Sequence, residues 1–174
     1  MIQIVFAHGH TENLSDAPFG HQQALPWGHC KQDLEFFKEI TQHTVLVMGA
    51  NTFASLPFKL PGRKHMVLSE NAHHPHFQSP TTKNGELPDL LADCLEDALR
   101  FNWKYSIIGG PGVIKEGLEF ADVVYKTTIV EDNLPYDVSI DVTNIEEQFP
   151  IKENVKVLTD QVGRSVFIDK LTRY

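Results

Sequence analysis

The sequence predicts an α/β fold: a mainly parallel sheet with flanking helices and an antiparallel addition at its C-terminal edge. Three observations carry that expectation. Short apolar runs rich in β-branched residues recur at 2–7, 44–49, 65–69, 104–110 and 122–130. Most are continuous rather than alternating, as in strands buried on both faces. Helical segments separate most of them, at 31–42, 51–56, 90–102 and 111–120, and strand–helix alternation marks a parallel sheet. The chain then ends in the alternating SVFIDKL, the pattern of a strand with one wet face.

In order, IQIVFA (2–7) is the first strand, and HGHTENLSDAPFGHQQ (8–23) follows with turn formers and no clear period. An irregular stretch of that length inside a compact domain usually carries function. KQDLEFFKEITQ (31–42) reads as a helix with Leu34, Phe37 and Ile40 on one side and Phe36 at its edge. TVLVMG (44–49) is a second strand and NTFASL (51–56) a short helical piece. LPGRK (60–64) is a turn into the third strand, and 71–88 is loop-like. LLADCLEDALRFN is a helix and KYSIIGG a fourth strand, while PGVIKEGLEF opens with Pro and Gly as helices do. DVVYKTTIV is a longer strand, and the tail beyond reads as loops plus strands. No repeat, linker or composition break divides the chain, so residues 1–174 are expected to form a single domain.

The 174 residues are 41% hydrophobic and 22% charged, the balance of an ordinary soluble globule. A net charge of −8 without a Lys/Arg run argues against a nucleic-acid partner. Cys30 and Cys94 lie far apart in no CxxC pattern, which suits a reduced intracellular protein. The N-terminus has no basic leader or cleavage site, and no apolar run approaches the ~18–20 residues of a membrane span. A cytoplasmic location with no membrane partner is expected.

Several stretches carry chemistry. In SIIGGPGV (106–113) a buried strand ends in two glycines and turns into a helix. Glycines admit close approach of a ligand, and free N–H groups at a helix start suit phosphate. The spacing is not GxGxxG, so the usual dinucleotide fingerprint is absent. VMGANTF (47–53) repeats the logic, with Asn51 or Thr52 able to cap the next helix. Two such turns could hold a pyrophosphate, or each could be a plain strand-to-helix turn. Arg63, after a Pro-Gly turn, offers a planar fork for a carboxylate or is simply an exposed basic residue. The histidines of HGH (8–10) and HHPH (73–76) have no cysteine nearby, and no metal site is expected. Asp33, four residues before Phe37, either complements the helix dipole or is a desolvated acid kept for chemistry.

Those segments occur together, in one order, in a known family. On ALPWG…DLEFFK (24–38), TVLVMGANTFASLP (44–57), LPGRKHMVLS (60–69), SIIGGPGVI (106–114) and VVYKTTI (123–129), the sequence resembles dihydrofolate reductase, most closely its phage-type branch. The resemblance covers residues 2–130 and weakens beyond. It implies an eight-stranded, mostly parallel sheet and NADPH-dependent reduction of 7,8-dihydrofolate to 5,6,7,8-tetrahydrofolate, with hydride to C6 and a proton to N5. It further implies that this reaction supports thymidylate and one-carbon metabolism, by a monomer or homodimer, in the host cytoplasm if phage-encoded. Asp33 falls at the family's pocket carboxylate. Val5, Phe6 and Phe37 would contact the pterin, Leu56 and Leu60 the aminobenzoyl ring, and Arg63 the glutamate α-carboxylate; Ile108 would also contact substrate, and Thr127 would support the acid. The cofactor would lie along Ala7, Leu25, Gly49, Ala50, Asn51, Thr52, Leu68, Ser69, Gly109, Gly110, Pro111, Gly112 and Val113. The Gly109–Gly110 peptide would be cis, residues 10–25 would be a lid, and Asp137 would steady it.

The sequence departs from the family in places. Ala50, Glu70 and Gly112 stand where basic residues often meet the cofactor phosphates, with Lys64 or His65 as possible substitutes. This leaves NADPH against NADH open. Ile114 replaces a tyrosine, and Asp33 follows Trp27 one residue later than in many bacterial members. Two other readings remain: a pyrimidine reductase of the same architecture, and a ligand-binding module without turnover.

Overall fold

A computed structural model of the chain describes residues 1–56, 60, 62–68 and 103–174. In chain order the described strands are β1 (Ile2–Gly9), β2 (Ala17–Gly20), β3 (Val45–Gly49), β4 (Lys64–Leu68), β5 (Tyr105–Gly109), β6 (Val123–Ile129), β7 (Val138–Ile140), β8 (Ile151–Thr159) and β9 (Ser165–Thr172). The helices are α1 (Lys31–Ile40), α2 (Ala50–Ser55), α3 (Pro111–Gly117) and α4 (Val142–Gln148). The chain forms two compact units, Met1–Ile4 with Thr41–Ala121 and Val5–Ile40 with Asp122–Tyr174. β1 therefore contributes residues to each.

In the first unit the strand order is β4-β3-β5-β1, and every pairing is parallel. Val47, Met48 and Leu46 in β3 and Tyr105, Ser106 and Ile107 in β5 are buried, as the unbroken apolar runs predict. Three of the buried polar residues, Gln3, Ser106 and Thr44, satisfy one another. Gln3 Nε2 donates to Ser106 Oγ at 2.8 Å, and Ser106 shares a further 2.8 Å bond with the Thr44 hydroxyl. A buried side chain left without such partners would cost about 1–3 kcal/mol.

In the second unit the order is β1-β6-β9-β8, with β6–β9 and β8–β9 antiparallel. This is the antiparallel C-terminal edge the alternating tail predicts. Trp27, Cys30, Phe36, Ile129, Val166 and Ile168 form the core here, with Ala7, Ile40, Tyr125, Leu134 and Leu158 packed against it. Seven strands of the main sheet lie among the described residues, against the eight that the resemblance implies; the expected helix at 90–102 and loop at 71–88 lie outside those residues.

Three differences from expectation have physical reasons. The irregular stretch 8–23 contains a 3-10 turn, Leu14–Asp16, opened by the Asn13 side chain accepting from Ser15 N at 3.2 Å. It also contains β2, which pairs antiparallel with β7. The tail contains α4, capped by Asp141, whose carboxylate accepts from Asn144 N at 3.0 Å; Val142 and Ile145 are its buried pair. On α1, Leu34 is 44% exposed and Phe36 is 6% exposed. With Asp33 and Ile40 toward the core, positions three and four residues on share their face and Leu34 is rotated off it.

Ile168 is fully buried in the core of the second unit. Ile168→Ala is expected to lower unfolding free energy by about 2–5 kcal/mol in urea titration; a loss under about 1 kcal/mol would show that the cluster is loosely packed.

Candidate active site

α1 places Asp33 in its first turn. The residue keeps partial exposure, but protein atoms crowd its carboxyl, and desolvation pushes its pKa up to about 6. A hydrogen bond from the Thr127 hydroxyl pulls the other way. Thr127 is buried in β6. Desolvation wins, so near neutral pH this acid can still hold a proton.

Val5 and Phe6 are both buried in β1 but are consecutive, so their side chains face opposite sides. Ala7 packs on the cluster that holds Phe36, and Val5 shares the face of Ala7. Phe6 instead lies with His8, ring centroids 6.0 Å apart. The expectation that both Val5 and Phe6 side chains line one pterin surface is therefore corrected: Phe6 points away from the Asp33 side. Phe37 is half-buried on α1, and Leu25 is 41% exposed. Trp27 is buried, and its indole Nε1 meets no hydrogen-bonding partner among the described residues.

Residues 10–25 are fastened at their far end. Asp137 Oδ2 accepts from Gln22 N at 2.9 Å, and Asp137 N donates to the Gly20 carbonyl at 2.9 Å. Tyr136 OH donates to Asp16 Oδ2 at 2.9 Å. Asp137 thus bonds two residues, Gly20 and Gln22, of the stretch that the resemblance reads as a lid.

In the first unit the two strand-to-helix turns adjoin. A Cβ placed on Gly49 would sit 3.4 Å from Val113 Cγ2 and 3.9 Å from Gly110 N, and one on Gly110 would sit 3.5 Å from Thr52 Oγ1. Gly49 and Gly110 are the N-caps of α2 and α3, and neither helix start has a side-chain cap. Among the described residues nothing lies within 4 Å of a Cβ placed on Gly112. The first residues of α2 (Ala50, Asn51, Thr52) and of α3 (Gly112, Val113) offer main-chain N–H groups beside glycines without side chains, which suits a pyrophosphate, while Pro111 has no N–H and only opens α3. The Gly109–Gly110 peptide is cis, as the resemblance implies. Leu68 ends β4, while Ser69 and Glu70 lie outside the described residues.

Leu56, Leu60 and Arg63 are half-buried in the same unit, and Ile108 is buried in β5. The sequence alone does not disclose what shapes the Arg63 turn. His65 Nε2 accepts from Leu60 N at 3.1 Å, and its Nδ1 lies 3.1 Å from the Arg63 carbonyl. The buried His65 ring therefore braces the turn, which corrects its suggested role as a phosphate contact. Lys64 stays exposed, its ammonium 5.8 Å from the Trp103 ring centroid. His8, of the HGH stretch, is buried between the Gly9 carbonyl and Thr128 Oγ1. Desolvation, then the charge of Lys126, lowers its pKa to about 4.

A desolvated carboxyl in one unit and adjoining glycine turns at helix starts in the other are features that suit an NADP(H)-dependent oxidoreductase. Comparison with known proteins gives the family. Residues 1–167 match the model of the dihydrofolate reductase family. The chain is 29% identical over 179 residues to dihydrofolate reductase type A10 of Escherichia coli, covering 99% of this chain and 92% of that protein. It is 33% identical over 129 residues to dihydrofolate reductase of Bacillus subtilis, covering 74% and 69% respectively. Among solved structures, dihydrofolate reductase from Enterococcus faecalis complexed with NADP(H) and RAB-propyl aligns with a TM-score of 0.75 at 27% identity, over 99% of this chain and 95% of that one. The chain belongs to the dihydrofolate reductase family.

A carboxyl whose pKa is raised on folding stabilises the fold fully below its unfolded pKa, and that contribution is lost as pH rises through the folded value. For Asp33 the window runs from the ordinary value of 3.8 to about 6. Asp33→Asn is therefore expected to unfold later than wild type at pH 8, by about 1–3 kcal/mol, with the gain shrinking toward pH 4. Denaturant titrations at both pH values check this; an equal difference at both would contradict it.

Proposed function

We propose that Asp33 is the group that binds the pterin N3 and 2-amino edge and promotes N5 protonation, in a chain that reduces 7,8-dihydrofolate to 5,6,7,8-tetrahydrofolate. The observation that carries this reading is the desolvated carboxyl at pKa about 6 with Thr127 as its donor. A general acid works best when its pKa lies near the working pH. Bound NADPH supplies the hydride that goes to pterin C6. The chain's own residues bind and orient. Asp33 offers two oxygens to the adjacent N–H donors of the pterin edge. Val5, Phe37 and Ile108 give apolar contact, Leu56 and Leu60 flank the aminobenzoyl ring, and Arg63 takes the glutamate α-carboxylate as a planar fork. Gly49, Ala50, Asn51, Thr52, Gly109, Gly110, Pro111, Gly112 and Val113 receive the pyrophosphate, with Ala7, Leu25, Leu68 and Ser69 along the rest of the cofactor.

On this reading the whole chain acts as one catalytic domain of the phage-type branch, cytoplasmic (in a host cell if phage-encoded), monomeric or homodimeric, with no nucleic-acid or membrane partner. It is a target for antifolates that mimic the pterin edge. Among the described residues no helix is long and apolar enough to cross a membrane.

Purified protein with dihydrofolate and NADPH is expected to consume NADPH absorbance, and substituting NADH gauges the missing basic residues at Ala50 and Gly112. Asp33→Asn is expected to bind NADPH normally and to lose about 100-fold or more of its turnover at pH 7; wild-type-like turnover would rule out Asp33 as the proton-promoting group. Thr127→Val removes the bond that lowers the Asp33 pKa. The midpoint of its hydride-transfer pH profile should therefore move above the wild-type value, and an unmoved or lower midpoint would contradict the pairing.

A further inference from the structure

The tip of the β8–β9 hairpin reaches back across more than a hundred residues to the segment that leads into α1. Arg164 NH1 donates to the Trp27 carbonyl at 2.6 Å, and Arg164 NH2 donates to the His29 carbonyl at 2.9 Å. Gln161 Nε2 donates to the same His29 carbonyl at 2.7 Å, while its Oε1 accepts from Lys31 N at 3.3 Å. Lys31 is the first residue of α1. An α-helix leaves its first N–H groups without internal partners, and Gln161 supplies one of them from a distant part of the chain. Asp33 lies two residues further on.

The two carbonyls taken by Arg164 flank Gly28, whose φ of +71° is the left-handed conformation that glycine tolerates. The guanidinium is itself held rigidly. Its Nε pairs with Asp160, NH1 also reaches Glu131 Oε2 at 3.2 Å, and the Arg164 and Asp160 side chains are almost wholly buried. Asp160 Oδ1 accepts from Val162 N at 3.0 Å and from Arg164 N at 2.8 Å, which closes the hairpin tip. Charge-assisted bonds of this kind are stronger than neutral ones, and a planar guanidinium fixes direction as well as distance.

We propose that Arg164, assisted by Gln161, is a positioning residue for the reduction. It fixes the Trp27–Lys31 segment from the hairpin tip and thereby sets where Asp33 stands relative to bound substrate. Both residues lie outside the segments that carry the resemblance in the sequence but inside the family match over 1–167, and among the described residues the hydrogen bonds of Arg164 reach none of those assigned to substrate or cofactor. Its effect runs through the backbone at both sides of Gly28 and the first turn of α1. Small displacements of a catalytic group slow chemistry while leaving remote binding intact.

The inference rests on the reading of the chain as a dihydrofolate reductase. Its test is single-turnover hydride transfer at saturating NADPH and dihydrofolate in the full chain, with NADPH affinity and the melting temperature measured in parallel. Arg164→Met is expected to slow hydride transfer by roughly 10- to 100-fold while NADPH affinity stays within about twofold. Arg164→Lys, which keeps the Asp160 pair and one carbonyl bond, should recover part of the rate. Gln161→Ala, at the exposed tip, should slow the step by about threefold. Hydride transfer within about twofold of wild type in folded Arg164→Met would overturn the proposal, whatever the melting temperature. Should Arg164→Met fail to fold, wild-type rates in both Arg164→Lys and Gln161→Ala would overturn it equally. An inactive wild type would instead sink the reductase reading on which the proposal stands.

Discussion

Withdrawing the Asp33 carboxyl from bulk water raises its affinity for a proton, and the surroundings of α1 must both create that state and withstand its cost. Ionised at high pH, the carboxyl opposes folding by an amount comparable to what one buried aromatic contributes, about 1.5–3 kcal/mol. A ten-residue helix is marginal on its own in water, so α1 needs external support. Phe36 supplies it on the core side, packed with Trp27, Ile129, Val166 and Ile168. The hairpin tip supplies it at the N-terminus, through Gln161 and Arg164. Thr127 tempers the desolvation, lowering the carboxyl's pKa without bringing it back to the ordinary carboxylate range.

β6 divides two electrostatic environments by strand alternation alone. Tyr125 and Ile129 pack on the cluster beside α1, and Thr127 meets Asp33. Lys126 and Thr128 point to the other face. There Lys126 is buried with Glu146 Oε1 at 3.1 Å and Asp169 Oδ2 at 3.9 Å, and Thr128 meets the buried His8. A buried lysine is tolerable only when it is paired, and Asn154 in turn donates to Asp169 Oδ1 at 3.1 Å. One strand thus carries a tunable acid's partner on one side and a buried lysine paired with two carboxylates on the other.

Much of this is legible in the amino-acid sequence, because the strands of the first unit are continuous apolar runs and the glycine turns sit at their ends. Asp33 and Phe37 are readable as helical neighbours, although the period does not tell which of Leu34 and Phe36 turns inward. β2 is hidden by its brevity and its Pro-Gly content. α4 leaves a faint signal within a strand-rich tail: Asp141 three residues before Asn144, with Val142 and Ile145 as its apolar pair. The Arg164 bonds to the His29 and Trp27 carbonyls have no local signature, since those partners are 135 and 137 residues away. The bracing of the Arg63 turn by His65 is equally silent, because a histidine between basic and apolar neighbours reads as a surface residue.

The central claim is that burial holds the Asp33 carboxyl well above the ordinary aspartate range in the free protein. A carboxyl-carbon NMR titration of isotopically labelled protein, with the Asp33 resonance assigned by its loss in Asp33→Asn, measures this without substrate or cofactor. The account predicts a midpoint near 6. A midpoint near 4, the range of a solvated aspartate, would contradict it.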